Sequence, residues 1–385
     1  MTASSPFDPK RLKIARQFHG YTQVELADRV SVSRQFINQL ETTGERLPNP
    51  EMCEALAAAL NVEPSFFTKP LEAELNTDDC NFRSIQSRRM RDVEQVLAHG
   101  ALLADLVGFV EAELDKADMD FPAVDFPHIK VSDDESIERA AERVRLHWSL
   151  TADQPIDNTI RVAEHAGAVV VKFPGVAHEI DALSVSGDRP LIVRASEKEQ
   201  QSRLRFDIAH EIGHLVMHQK QSRPAELETA EAQANRFASA FLLPRKAFIR
   251  AWPRGRRLDW QAIFQMKRVW KASAQAILRR AFDLALIDAA QYRGGCIYIS
   301  KQGFRKSEPC EPAEVETPEV LRDALIQLQK VTGLLPKDVA RQLGVQPVIL
   351  GKLLHIAMPD LREADAPTII NLNARLDWSK SKWYA

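Results

Sequence analysis

Residues 206–218 read Phe206-Asp207-Ile208-Ala209-His210-Glu211-Ile212-Gly213-His214-Leu215-Val216-Met217-His218. Apolar residues recur in this stretch at helical spacing, which predicts a packed helix. His210 and His214 are four residues apart, one turn apart on the same face. Their imidazole nitrogens can therefore meet on one ion at zinc–nitrogen distances of roughly 2.0–2.1 Å. Glu211 projects beside them, where it can hold an attacking water and take its proton. This is the minimum apparatus for hydrolysing a peptide bond. The competing explanation is chance, because H-E-x-x-H fixes only three positions. The apolar flanks argue against chance, since they place the histidines on a packed helix.

A third ligand is available downstream. The run Glu231-Ala232-Gln233-Ala234-Asn235-Arg236-Phe237-Ala238-Ser239-Ala240-Phe241-Leu242-Leu243-Pro244 is a second amphipathic helix. Ala234, Phe237, Ala238, Phe241 and Leu242 form its inner stripe, and Pro244 stops it. Catalytic zinc takes three protein ligands and leaves one position open. Glu231, one turn before Ala234, is the preferred third ligand. Glu228 is the competing carboxylate and is expected to precede the helix. His218 continues the histidine row, but each step of four residues rotates it by about 40°. It is displaced from the metal, with a supporting or an alternative ligand role left open.

On these residues the segment from about Ala163 to Pro244 resembles the ImmA/IrrE family of bacterial metallopeptidases. The matching pieces are Phe206 to His218 and Glu231 to Pro244. The resemblance implies a Zn2+ cofactor held by His210, His214 and Glu231, with Glu211 as catalytic base. It also implies cleavage of repressor proteins under stress or induction.

The rest of the chain bounds this reading. Its 385 residues predict two or three domains. A formal net charge of -2 gives no global signal for nucleic acid. No segment approaches about eighteen uninterrupted apolar residues, so no membrane-spanning helix is expected, and the N-terminus has no apolar signal core. Cys53, Cys80, Cys296 and Cys310 are scattered without C-x-x-C spacing and read as reduced thiols. The expected compartment is the cytoplasm.

Residues 9–67 read as short helices. Leu12 and Ala15 face inward from the first. Thr22 caps the second, Gln23 to Val30, and Glu25 completes a capping box. A tight turn at Ser31-Val32 follows. Ser33 then caps Arg34 to Glu41, whose Phe36, Ile37 and Leu40 point inward. Arg34, Gln35, Asn38 and Gln39 remain on the outer face, and these side-chain types read base edges. Two helices joined by a short turn, the second polar outward, are helix-turn-helix geometry. The run resembles the Cro/C1-type (XRE) helix-turn-helix family, down to Thr22-Gln23-x-Glu25-Leu26-Ala27. Ser31 departs from it, since glycine is common there. The expected DNA contacts are Gln23, Ser33, Arg34, Gln35, Asn38 and Gln39. Of these, Arg34, Gln35 and Gln39 are expected on bases, Gln23 and Asn38 on the backbone. The alternative is a helical protein-binding module, and the balanced charge of this segment does not separate the two.

A long helical pattern runs from Phe82 to about Asp118, with Arg83, Arg88, Arg89 and Arg91 near its start. Its stripe of Val93, Val96, Leu97, Leu102, Leu106, Val107 and Val110 is core or dimer seam. Strands are expected over 168–173, 182–185 and 190–193, with a hairpin turn at Gly187-Asp188. They form a small antiparallel sheet, one edge of which can align an extended substrate. Trp260 to Trp270 and Ser273 to Leu286 are helices. Cys296-Ile297-Tyr298-Ile299 reads as a short strand, and Tyr292 or Tyr298 is a candidate for stabilising an oxyanion. Residues 338–353 align with 25–40 at constant offset and keep the apolar positions. Pro347, Val348 and Gly351 replace Arg34, Gln35 and Asn38. This predicts a helix-turn-helix-like repeat without base recognition, serving oligomerisation or docking.

The fold class is therefore α+β and mostly helical. Expected domains are a helix-turn-helix domain at 1–70, a helical linker at 80–130, a zincin-like peptidase at 131–290 and a helical domain at 291–385. The resemblances together imply a regulator that binds a double-stranded DNA operator as a homodimer and cleaves a repressor, or itself, with no membrane partner. The alternative keeps the DNA binding and makes the peptidase fold a non-proteolytic sensor.

Overall fold

Each helix of the first seventy residues begins where a side chain supplies the acceptor its free N–H groups lack. In a computed structural model, which describes residues 7–42, 47–71, 75, 90–114, 118–122, 134–173, 182–185, 189–194, 200–218, 227–255 and 257–355, Asp8 caps α1 (Pro9–Phe18). At α2 (Gln23–Arg29) the expected box is present: Glu25 N–H donates to Thr22 Oγ1 (3.1 Å) and Thr22 N–H to Glu25 Oε2 (2.6 Å). Ser33 Oγ accepts from Phe36 N–H at 3.2 Å and starts α3 (Arg34–Thr42). Asn49 caps α4 (Pro50–Leu60), and a 3-10 turn at Pro64–Thr68 follows. Leu12, Leu26, Ile37, Leu40, Leu56, Leu60, Phe66 and Phe67 are buried together.

Ser31 stands in the α2–α3 turn at φ 56°. A left-handed conformation costs a residue with a Cβ about 1–2 kcal/mol. Glycine escapes that cost but loses more chain entropy on folding, about 0.4–1 kcal/mol. Ser31→Gly is therefore expected to stabilise the domain by about 0.5–1 kcal/mol, read as a higher urea midpoint at unchanged slope. A lower midpoint would show that the serine contributes more than it strains.

The next helix, α5 (Met90–Glu113), is long and apolar enough to cross a membrane by length and composition, but two thirds of its apolar window (67%) is buried in protein. Val93, Val96, Leu102, Leu106, Val107 and Val110 belong to the core of this chain. Arg11, buried on α1, pairs with Asp105 on α5, so the stretch read as a linker is packed against the head. Arg91 lies 3.4 Å from Glu25, both exposed. Arg83, Arg88 and Arg89 lie outside the described residues.

Contacts divide the described residues into two compact units, one within 1–118, 169–197 and 318–374, the other within 119–168 and 198–317. The second unit is helical. It contains α6 (Asp134–His147), α7 (Thr159–His165), α8 (Gln201–Met217), α9 (Leu227–Leu242), α10 (Arg245–Ala251), α11 (Trp260–Trp270), α12 (Ala274–Asp283) and α13 (Ala289–Lys301). Ser273 caps α12 as expected. The Cys296–Ile299 quartet is not a strand. Asp288 and Gln291 form a capping box that starts α13, and Ile299 is buried while Ile297 is exposed. A strand would have put both on one face.

Three glutamates from the segment after α13 reach into this unit and take up free helix N–H groups. Glu308 accepts from Ala274 N–H (2.7 Å) and from the fully buried Lys267 (2.8 Å). Glu311 accepts from Ser202 N–H and Oγ–H, at 3.2 and 2.9 Å. Glu316 accepts from Thr159 N–H at 2.8 Å and pairs with Arg205.

The strands β1 (Val169–Lys172), β2 (Ala182–Val185) and β3 (Leu191–Arg194) belong to the first unit, in the order β1-β3-β2. β2 and β3 are antiparallel, with Leu183 opposite Val193. β1 is parallel to β3, with Val170 opposite Ile192. The expected all-antiparallel sheet is thus corrected to a mixed one. Proximity in sequence identified the hairpin, but alternation cannot tell whether a third strand joins it parallel. The turn at Gly187-Asp188 lies outside the described residues.

The C-terminal helices α14 (Val320–Thr332), α15 (Pro336–Leu343) and α16 (Pro347–Leu354) complete the first unit. α15 and α16 form the expected helix-turn-helix-like pair, burying Ala340, Val345, Ile349 and Leu353. The correspondence extends to the turn. Gly344, at φ 73°, occupies the position of Ser31. Asp338 Oδ2 accepts from Leu335 N–H at 3.1 Å, as Glu25 does from Thr22. A Cβ on Gly344 would stand 3.0 Å from Phe66 Cα, and Glu63 N–H donates to Gly344 O at 2.8 Å. The repeat is therefore packed directly on the end of the head.

His99 on α5 stacks on Phe18 (centroids 4.1 Å apart) and meets the edge of Phe173 at 4.3 Å, with Nδ1 2.8 Å from Gln95 O. Burial, only partly opposed by the Gln95 hydrogen bond, pushes its pKa down to about 4. The unfolded chain, titrating near 6.5, therefore binds the proton first as pH falls. The contribution of His99 is complete above pH 6.5 and is lost as pH drops from there towards 4. His99→Phe is expected to remove about 2 kcal/mol of the stability difference between pH 7 and pH 5, measured by urea unfolding at both pH values. An unaltered difference would assign the acid sensitivity to other groups.

Candidate functional site

The residues expected to bind metal come from α8 and α9, which pack closely. A Cβ on Gly213 would lie 3.0 Å from the ring of Phe237, so glycine here lets α9 approach the histidine face of α8. α9 begins at Leu227, a turn earlier than expected. Glu228 therefore lies on the helix and does not precede it; its side chain is outside the described residues. Glu231 reaches across to both histidines.

His210 Nε2 and His214 Nε2 are 3.0 Å apart. Glu231 places Oε1 3.1 Å from His214 Nε2 and Oε2 3.4 Å from His210 Nε2. Among the described residues these three side chains form a cluster able to hold a metal ion. Two ligands about 2.1 Å from a tetrahedral centre stand about 3.4 Å apart, so the observed spacings are near those of a site closing on zinc. His210, Glu211 and His214 are buried, and Glu231 is half-buried. Burial lowers the His214 pKa, which keeps a ring nitrogen free as a ligand. Burial by itself would raise Glu231, but the His210 and His214 rings beside its carboxylate outweigh it and hold the carboxyl well below its usual range.

Beyond this cluster, His214 Nδ1 faces His218 Nδ1 at 2.9 Å, and His218 Nε2 faces Gln233 Oε1 at 2.8 Å. Gln233 was not among the expected residues. Nothing in the spacing of α9 marks it, because its part depends on how α9 crosses α8. The ring of Tyr292 stacks on Phe282 and that of Tyr298 on Trp260.

In the helix-turn-helix head, Ser33 at the cap of α3 and Arg34, Gln35 and Asn38 on α3 are exposed, and Gln39 and Gln23 are half-buried. Gln23 Nε2 donates to Asn38 Oδ1 (3.2 Å) and to Glu41 Oε2 (3.0 Å). Glu41 is itself gripped by Arg16 through Nε (2.6 Å) and Nη2 (2.8 Å). The buried Arg16–Glu41 pair thus fixes α3 against α1, and Gln23 passes that order on to Asn38. The sequence did hold a signal for this pair: both are charged residues that the buried faces of α1 and α3 enclose.

A family model described as helix-turn-helix matches residues 12–67. One described as IrrE N-terminal-like domain matches residues 163–282, which takes in β1–β3 as well as α8 and α9. A search among curated proteins finds no match to the chain. The chain thus joins an XRE-type helix-turn-helix DNA-binding domain to an IrrE/ImmA-like peptidase domain, as a regulator with a peptidase-like domain.

Proposed function

We propose that this protein is a cytoplasmic transcriptional regulator that binds an operator as a homodimer and carries a zinc-dependent endopeptidase acting on a repressor protein. The convergence of His210, His214 and Glu231, with Glu211 on the same helix turn, carries this reading. His210, His214 and Glu231 would hold a zinc ion, which when bound would supply the Lewis acidity that polarises a scissile carbonyl. Glu211 takes a proton from the attacking water and returns it to the departing amine. On the head, Arg34, Gln35 and Gln39 read base edges, while Gln23, Ser33 and Asn38 fix the register on the phosphates.

The test uses the purified full chain. About one zinc per chain is expected by metal analysis, and His214→Ala should lose it. Footprinting near the chain's own gene should show two protected half-sites. Arg34→Ala or Gln35→Ala should weaken that binding by about 1–3 kcal/mol. Zinc binding without cleavage of any co-expressed repressor would favour the sensor reading. Absence of zinc would overturn the metal reading altogether.

A further inference from the structure

We propose that His218 and Gln233 form a hydrogen-bond relay that orients His214 and fixes its tautomer for metal binding. The inference rests on the metal reading above and assigns positioning roles to two residues outside the ligand set.

The argument starts at the ligand cluster. His214 Nε2 faces His210 Nε2 and Glu231, so a metal there requires a lone pair on Nε2. A neutral imidazole with a free Nε2 carries its proton on Nδ1. That Nδ1 is 2.9 Å from His218 Nδ1, which must then accept and be unprotonated. His218 therefore carries its proton on Nε2 and must donate from it. The atom 2.8 Å away is Gln233 Oε1, an acceptor. The sequence of roles is forced from one end, and it terminates on the oxygen of the amide, not on its nitrogen. Were the amide turned, two donors would face each other.

The geometry follows from the helix. His210, His214 and His218 advance by 40° at each step, so the third ring leaves the metal position and lies beside the second, with centroids 5.0 Å apart. His218 is also the residue that ends α8, its N–H donating to His214 O at 2.9 Å. Gln233 comes from α9, two residues after Glu231. The relay thus clips the end of α8 to the helix that supplies the third ligand. His210 differs: among the described residues its buried Nδ1 has no hydrogen-bond partner. The two histidine ligands are therefore held unequally, and orientation is built into His214. An acceptor on the far nitrogen fixes the ring and raises its basicity, and losing such a partner lowers metal affinity about 10–100-fold.

Zinc affinity is measured on the full chain by competition with a chromophoric chelator, alongside visible spectra of the Co2+ form. His218→Phe keeps the ring volume without an acceptor and is expected to weaken zinc 10–100-fold, with the cobalt spectrum still that of an unchanged ligand set. His218→Gln, whose amide oxygen can accept, should recover most of the loss. Gln233→Leu should weaken zinc by less than His218→Phe. Wild-type affinity in His218→Phe overturns the relay. A cobalt spectrum showing a lost nitrogen ligand also overturns it, by making His218 a ligand. Nitrogen-15 NMR of the zinc-loaded wild type needs no variant: His218 is expected protonated at Nε2, and protonation at Nδ1 overturns the proposal. Failure of the wild type to bind zinc would instead remove the metal reading itself, and the relay with it.

Discussion

Glu211→Gln is expected to slow cleavage of a repressor substrate by about 100- to 10,000-fold, the range of a positioned general base, while zinc content stays at the wild-type level. The substitution keeps shape and volume on a buried helix turn and leaves His210, His214 and Glu231 in the sequence. It removes the carboxylate proposed to take the proton from water. Operator binding should be unaltered, because the residues proposed to read bases lie on α3. Product formation followed on gels, beside zinc analysis of the same preparation, checks both parts. Full cleavage by the variant would exclude Glu211 as the base. Loss of zinc with loss of cleavage would mean that the substitution disturbed the ligands and tested nothing about proton transfer.

Glu138→Leu is expected to lower the unfolding free energy by about 3–5 kcal/mol, the usual cost of leaving one member of a buried ion pair alone. Glu138 on α6 is 2% exposed and Arg280 on α12 is 0% exposed. They are joined by two parallel hydrogen bonds, the one from Nη2 to Oε2 at 2.8 Å. Without the carboxylate, Arg280 would retain its Nε bond to Leu243 O at 2.9 Å. Arg236 Nε is also 3.2 Å from Glu138 and Arg245 Nε 3.8 Å, but Arg236 keeps Asp134 and Asp283 and Arg245 keeps Glu135, so the charge left without its paired carboxylate is that of Arg280. Leucine's apolar burial returns too little to compensate. The double variant Glu138→Leu with Arg280→Met should recover most of the loss, since it buries no unpaired charge. Urea midpoints of both variants decide this, and a double variant as unstable as the single would place the loss in packing. Arg236 lies on α9, so zinc affinity should fall along with stability.

Much of the candidate metal site was legible in residues 206–218 and 231–244. Helical period fixes the spacing of His210 and His214, and the apolar stripes of the two runs face each other. The capping boxes and the C-terminal repeat were legible for a similar reason, because each depends on residues a few positions apart. The failures share a cause as well. Ile297 and Ile299 suggested a strand because a four-residue apolar window fits either period, and the cap that settles the matter is at Asp288. β1 looked antiparallel because adjacent strands often are, but strand direction is a property of the path between them.

By itself, then, the sequence determined the helix carrying the two histidines, the polar face of α3, and the repeat that keeps its apolar positions but not its polar ones. These are local quantities, set by periodicity, capping and side-chain chemistry within a turn or two. Tertiary structure alone decided that α5 is a core helix, that β1 runs parallel to β3, that Gly213 admits α9, and that Gln233 meets His218. Each of these depends on which surfaces approach one another, and in a close-packed interior that is settled by the fit of all the elements together.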